Sequence, residues 1–308
     1  MRLLSDDTVR NRLDWPRVLA ALEAGFRTID DFTVPERVVM AGVGGSSHLT
    51  MPCNDAEGWF GVKQVAVVPD NAARDKPTVQ AHYTLFAPDG TPTLSLAATV
   101  LTRLRTAAAS AVAARYLASE TPQTLLVVGT GSLAPWLAEA HLQVRPYQHV
   151  IVWGRDPDKA RACAADIEAR FAAAKVRPSI TTADVLGDAV SEADVISVAT
   201  TATEPIVRGN ALQPGQHLDL VGAFNADMAE ADPTAVRRSR VFVDTMAGCR
   251  AEAGDLIQAA QHGWSFDDVQ GTLSDIVRGD VTREADDLTL FKSVGTALED
   301  LVVARLLV

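Results

Sequence analysis

The chain has 308 residues, of which 47% are hydrophobic and 22% charged, and its formal net charge is −11. This length suits two domains or one large one, and the composition is that of a folded globular protein, which excludes a disordered chain. The negative charge opposes a phosphate backbone and no Lys/Arg-rich run reverses it locally, so nucleic acid is not an expected partner.

The opening stretch "MRLLSDDTVRNRLDW" carries charges throughout and lacks the apolar core of a signal peptide. No segment approaches the roughly 18 apolar residues of a membrane span. Cys53, Cys163 and Cys249 form no CxxC pair, and the histidines show no metal-ligand spacing, so reduced thiols, no metal, no membrane partner and a cytoplasmic location are expected.

Through the first 120 or so positions, "RVVMAG", "SSHLTMPC", "WFGVKQVAVVP" and "VQAHYTLFAPDGTPTLSLA" read as strands joined by Gly, Pro and "PDG" turns, a mixed or antiparallel sheet. The alanine-rich "TRLRTAAASAVAARYLAS" follows as a helix leading into a second half. From Pro122 the strands "TLLVVG", "HVIVWG", "ADVISVAT", "HLDLVGAF" and "SRVFVD" alternate with helical stretches, the pattern of βαβ units and a doubly wound parallel sheet. The tail "DDLTLFKSVGTALEDLVVARLLV" reads as an amphipathic helix with Leu298, Leu301, Val302 and Leu306 on its apolar face. The fold class is therefore α/β. A Rossmann-type domain over 119–287 is expected inside a mixed α+β domain built from both chain ends, 1–118 and 288–308.

The segment "LVVGTGSLA" places Gly129, Thr130, Gly131, Ser132, Leu133 and Ala134 in a G-x-G-x-x-A pattern between a strand and a helix. The first Gly permits the tight turn, the second lets backbone approach a pyrophosphate, and the small Ala lets helix and strand pack closely. Pro135 is tolerated in the first helical turn, where its missing N–H has no intrahelical partner to lose. After the second strand come Gly154 and Arg155, and a guanidinium there suits the 2′-phosphate of NADPH; if Asp156 faces the ribose instead, NADH is the cofactor. Composition and spacing stop at an NADP-dependent oxidoreductase of unknown substrate.

The strings "VPERVVM", "GVKQV", "KPTVQAHYTLFAPDGTP", "LTRLRTAAASAVAARYLA", "VVGTGSLA", "VWGRDPDKA", "ATTATEPIV", "VGAFNADMAEAD" and "LFKSVGTALEDL" run almost end to end and resemble the ornithine cyclodeaminase/μ-crystallin family. The resemblance implies that Arg37, Lys63 and Arg105 hold a substrate carboxylate, and two guanidiniums suit a bidentate grip. It further implies that Thr78 and Arg105 approach the cofactor, that Thr200 and Thr201 line the nucleotide, and that Val221 and Ser293 border the nicotinamide. A Thr in such a turn is otherwise usually a helix cap, a reading that stays open for Thr201.

Cyclising deaminases and alanine dehydrogenases of that family read Gly-Gly/Ala-Asp where this chain reads Gly222-Ala223-Phe224, and Phe224 cannot transfer a proton. Reduction of a preformed cyclic imine carboxylate needs no such group. The resemblance therefore implies a ketimine reductase making L-proline or L-pipecolate as a homodimer. Lys63, water or Asp227 remain as proton sources. The alternatives are an ornithine cyclodeaminase or amino-acid dehydrogenase and, in another class, a crystallin-like binding protein.

Overall fold

Period-two alternation in the N-terminal third becomes a sheet with one covered face. In chain order the elements are β1 (Arg2–Leu4), α1 (Asp6–Arg12), α2 (Trp15–Arg27), β2 (Phe32–Thr33), β3 (Val38–Ala41), β4 (Ser47–Asp55), β5 (Phe60–Val67), β6 (Val79–Phe86), β7 (Pro92–Ala97) and α3 (Thr99–Leu117). The computed structural model describes residues 1–74, 76–172 and 177–308. Strands follow one another as β1-β7-β6-β5-β4-β2, with β3 also against β4; β1 and β7 are parallel and the other pairs antiparallel, so the sheet is mixed. On its covered face Met51, Lys63 and Tyr83 lie in cross-strand register, all three buried.

The second half contains β8 (Thr124–Val128), α4 (Ala134–Val144), β9 (His149–Trp153), α5 (Pro157–Arg170), β10 (Ser179–Thr182), α6 (Leu186–Glu192), β11 (Val195–Val198) and β12 (His217–Leu220). It continues with α7 (Pro233–Arg238), β13 (Arg240–Val243), α8 (Met246–Glu252), α9 (Gly254–Ala260), β14 (Gly271–Thr272), α10 (Leu273–Arg278) and β15 (Thr289–Lys292). All eight strands are parallel, in the order β10-β9-β8-β11-β12-β15-β13-β14. The order reverses between β8 and β11, and ligands of open α/β sheets bind at such a switch point, beyond the carboxyl ends of the strands. The chain closes with α11 (Ala297–Arg305), which packs against α2, β4, β5 and β6.

Backbone packing divides the chain into Met1–Thr106 with Gly295–Val308, and Ala107–Val294. These limits differ from the expected boundaries at 118/119 and 287/288, for two physical reasons. The later part of α3 belongs with the parallel sheet: Ala114 and Ala118 share a core with Leu125 and Val127, and the Thr289 hydroxyl donates to the Leu117 carbonyl over 2.9 Å. The tail segment "TLFK", expected to be helical, is β15, hydrogen-bonded between β12 and β13. A short apolar run buried on both faces is ambiguous between helix and strand until its partners are known.

The amphipathic reading of the tail is also corrected. Residues Ala297–Ala304 of α11 are all buried, and they include Glu299 and Asp300, each 0% exposed. A helix that buries two adjacent carboxylates must supply them with partners. Among the described residues, no helix is long and apolar enough to cross a membrane.

Candidate functional site

In the unit built from both chain ends, α11 meets the covered face of the sheet with its two carboxylates. The ammonium of Lys63 on β5 lies 2.7 Å from Asp300 Oδ2 and is 1% exposed. Arg105 on α3 lies 2.7 Å from Glu299 Oε2 through Nη1 and 3.3 Å from Asp300 Oδ1 through Nε. Arg37, in the loop before β3 and half-buried, donates to the carbonyl of Gly295, just ahead of α11. Two carboxylates thus face two deeply buried cations, and Arg37 supplies a third. The balance is one positive charge, which a single carboxylate would complement.

Burial pushes the Lys63 pKa down to about 8; the nearby Arg105 pushes the same way, while Asp300 opposes both. Lys63 therefore stays an ammonium at neutral pH yet parts with its proton far more readily than an exposed lysine. The Tyr83 hydroxyl is buried without a hydrogen-bond partner among the described residues, and burial together with the Asp300 charge raises its pKa well above 10, so it remains a neutral donor. Glu299, Asp300 and Tyr83 escaped the sequence reading. The signal available for the first two was an acidic pair inside an apolar helix, which resembles a solvated face until the helix is seen to have none.

The second unit carries the G-x-G-x-x-A turn. Gly129 directly follows β8 at φ +115°, where a side chain would be strained, and a Cβ there would stand 2.4 Å from the Ala199 carbonyl just after β11. Gly131 is exposed and a Cβ on it would meet nothing within 4 Å, so the turn leaves room for a phosphate. Thr130 is half-buried and packs against Gly154, Ser132 is exposed, and Ala134 is fully buried in the core. Leu133, the residue preceding α4, offers no side-chain cap; in the first helical turn the Ala134 and Trp136 amides donate to the Gly131 and Leu133 carbonyls over 3.1 and 3.0 Å and Pro135 has none, so an anion here would be met by the turn itself and the dipole of this 11-residue helix. The residues present fit a dinucleotide pyrophosphate.

Past β9, Arg155 is exposed, whereas Asp156 Oδ1 accepts from the amides of Asp158 (3.0 Å) and Lys159 (3.3 Å) as the cap of α5. After β11 the Thr200 hydroxyl donates to Glu230 over 3.0 Å and accepts from the Ala202 amide over 3.3 Å, so that side chain is engaged by Glu230 beyond β12 and by its own loop. Thr201 is exposed in a segment that no helix follows directly, which removes the helix-cap reading. Val221 and Ser293 directly follow β12 and β15, both buried, and the Ser293 amide donates to the Leu220 carbonyl over 3.2 Å. Two expected residues lie at the surface: Thr78, ahead of β6, and Asp227, in the loop after Phe224.

A model of the ornithine cyclodeaminase/mu-crystallin family matches residues 1–308. The Δ1-pyrroline-2-carboxylate reductase of Colwellia psychrerythraea is 34% identical over 315 residues, covering 99% of this chain and 98% of its own. The structure of Thermococcus litoralis Δ1-pyrroline-2-carboxylate reductase in complex with NADH and L-proline matches with a TM-score of 0.94 and 30% identity, over 99% of this chain and 96% of that one. An archaeal alanine dehydrogenase dimer with bound NAD matches with a TM-score of 0.90 and 25% identity, over 99% and 93% of the two chains.

Removing one partner of a buried ion pair leaves an uncompensated charge and costs about 3–5 kcal/mol. Asp300→Asn is therefore expected to lower the urea midpoint at pH 7. The deficit should shrink as pH rises to about 8, because up to there the unaltered protein keeps the Lys63 proton that the folded variant, lacking the Asp300 charge, has already released while its unfolded chain still binds it. An unchanged midpoint at pH 7 contradicts the role given to the pair.

Proposed function

The chain belongs to the ornithine cyclodeaminase/mu-crystallin family, and we propose that it is an NAD(P)H-dependent oxidoreductase acting on C=N. Its substrates in this reading are the cyclic ketimine carboxylates Δ1-pyrroline-2-carboxylate and Δ1-piperideine-2-carboxylate, and its products L-proline and L-pipecolate. The relatives named Δ1-pyrroline-2-carboxylate reductase, one of them in a structure titled with NADH and L-proline, support it. The observation that carries it is the buried Lys63 held against Asp300 beside Arg105: a carboxylate grip whose ammonium, with a pKa near 8, can also release a proton.

In this reading the unit built from both chain ends binds the imino acid and the parallel-sheet unit binds the dinucleotide. Arg37, Lys63 and Arg105 hold the ring carboxylate, fixing the C=N carbon beside it. Bound NAD(P)H supplies a hydride to that carbon. The imine nitrogen must be protonated to accept the electron pair, and Lys63 or a water held by it is the source; Asp227, at the surface, is the weaker candidate. The turn from Gly129 to Ala134 holds the pyrophosphate, with Gly154 and Arg155 at the adenosine ribose, Thr200 and Thr201 along the nucleotide, and Val221 and Ser293 at the nicotinamide; Thr78 would add a phosphate contact. Phe224, 43% exposed after β12, has no proton to exchange, which favours reduction over deamination.

The decisive assay is NADPH or NADH consumption with each cyclic ketimine, beside ornithine with ammonia detection. Ketimine turnover without ammonia release is expected, and Lys63→Ala should depress turnover severely. Ornithine converted to proline and ammonia at a matching rate would replace this reading with the cyclodeaminase one.

NADPH is proposed as the preferred cofactor, because Arg155 is exposed while Asp156 already caps α5. One charge-assisted phosphate contact is worth about 1.5–3 kcal/mol. Arg155→Ala should therefore raise KM for NADPH by roughly tenfold or more and leave KM for NADH little changed; equal effects on both cofactors dismiss the assignment.

A homodimer is also proposed. The four residues of β3 are all exposed, with Val38, Val39 and Met40 each more than half so, and an apolar edge of this kind needs cover. Light scattering should return twice the chain mass, and a monomer mass at working concentration removes the claim.

A further inference from the structure

The parallel-sheet unit holds a carboxylate that none of the expected roles uses. Glu230 is 0% exposed, and its two oxygens are shared between the ends of two neighbouring strands. Oε1 accepts from the Thr200 amide over 2.7 Å and from the Thr200 hydroxyl over 3.0 Å, after β11. Oε2 accepts from the amides of Gly222 over 2.6 Å and Ala223 over 3.3 Å, after β12. The approach is so close that a Cβ on Gly222 would stand 2.4 Å from Glu230 Oε1 and 2.1 Å from the Thr200 carbonyl.

Glu230 is itself held rigidly. Its amide and that of Ala231 donate to Asp255 Oδ1 over 2.6 and 3.0 Å, and its carbonyl accepts from the amides of Ile206 and Val207, both over 2.9 Å. Asp255 in turn pairs with Lys292 of β15 over 2.9 Å, both fully buried. One carboxylate at the end of a buried ionic chain thus ties together the segments that follow β11 and β12. A buried acidic side chain accepting from three backbone amides is a strong, directional brace.

We propose that Glu230 is a positioning residue for dinucleotide binding, bracing the β11 and β12 end segments in the conformation that the cofactor meets. This rests on the reading of the unit as a dinucleotide-binding one. As a carboxylate it accepts all four bonds; once protonated it becomes a donor at one oxygen and the brace loosens. Burial raises its pKa to about 7, with the Lys292 ammonium pulling down and the Asp255 carboxylate pushing up. Those are the charged groups that face it among the described residues, from β15 and α9.

The test is NADH binding by fluorescence titration, NADH being chosen because it lacks the 2′-phosphate, which titrates in the same range. In the unaltered protein the Kd should rise as pH falls from about 8.5 to about 6, because the bound form selects the ionised Glu230. Glu230→Gln, whose amide nitrogen cannot accept, should raise the Kd at pH 8 by about tenfold and flatten the pH profile. KM for the ketimine at saturating cofactor should change by less than about twofold. A Kd within about twofold of the unaltered protein, or a pH profile that survives the substitution, overturns the inference. If Glu230→Gln does not fold, the profile of the unaltered protein decides, a flat one overturning the proposal. Absence of any NADH binding by the unaltered protein would instead sink the dinucleotide reading beneath it.

Discussion

An ammonium and a guanidinium buried side by side repel each other and lose their hydration, at a cost of several kcal/mol per ion. Lys63 and Arg105 are in that position, 1% and 7% exposed, and they persist there because α11 delivers Glu299 and Asp300 into the same space. Much in the first unit serves this constraint. The sheet alternation points Lys63 at the covered face, and α11 packs against α2 and three strands of the sheet, so the last residues of the chain complete the core laid down by the first. The same interaction sets the proton affinity of Lys63. A fully solvated lysine would hold its proton to high pH, whereas this one is balanced between burial and Asp300 near a pKa of 8.

The parallel-sheet unit repeats the device with different parts. Lys292, Asp255 and Glu230 are all fully buried, and Lys292 is held charged against desolvation by the two carboxylates, Asp255 first. The product is geometric: backbone amides at the carboxyl ends of β11 and β12 are gathered on one side chain, beside the reversal of strand order where open α/β sheets take their ligands. Buried charge in this protein thus fixes neighbouring groups in place and shifts proton affinities, which apolar packing cannot do.

Much of the architecture was legible along the chain. The strands from "RVVMAG" to "SRVFVD" each correspond to an observed strand, because period-two alternation and β-branched runs bounded by Gly and Pro are local properties. The turn from Gly129 to Ala134 was legible for the same reason: a left-handed glycine and a small helix residue are demanded within six positions. The tail was misread. "TLFK" gains its strand identity from β12 and β13, which lie about fifty to seventy residues earlier, and an isolated window cannot register them. The two carboxylates of α11 were passed over because acidic residues on a helix normally face water.

The sequence by itself determined the α/β class, the G-x-G-x-x-A turn between β8 and α4 and the cationic residues Arg37, Lys63 and Arg105, since each is written in short-range pattern or residue chemistry. Only the tertiary structure decided what those cations are. Glu299 lies 194 positions from Arg105, and Asp300 is as remote from Lys63 as the chain's ends nearly allow, so no local signal couples them. It also decided that Asp156 caps α5 and that Glu230 braces two strand ends, because desolvation and hydrogen-bond geometry exist only once the chain has closed around the groups concerned.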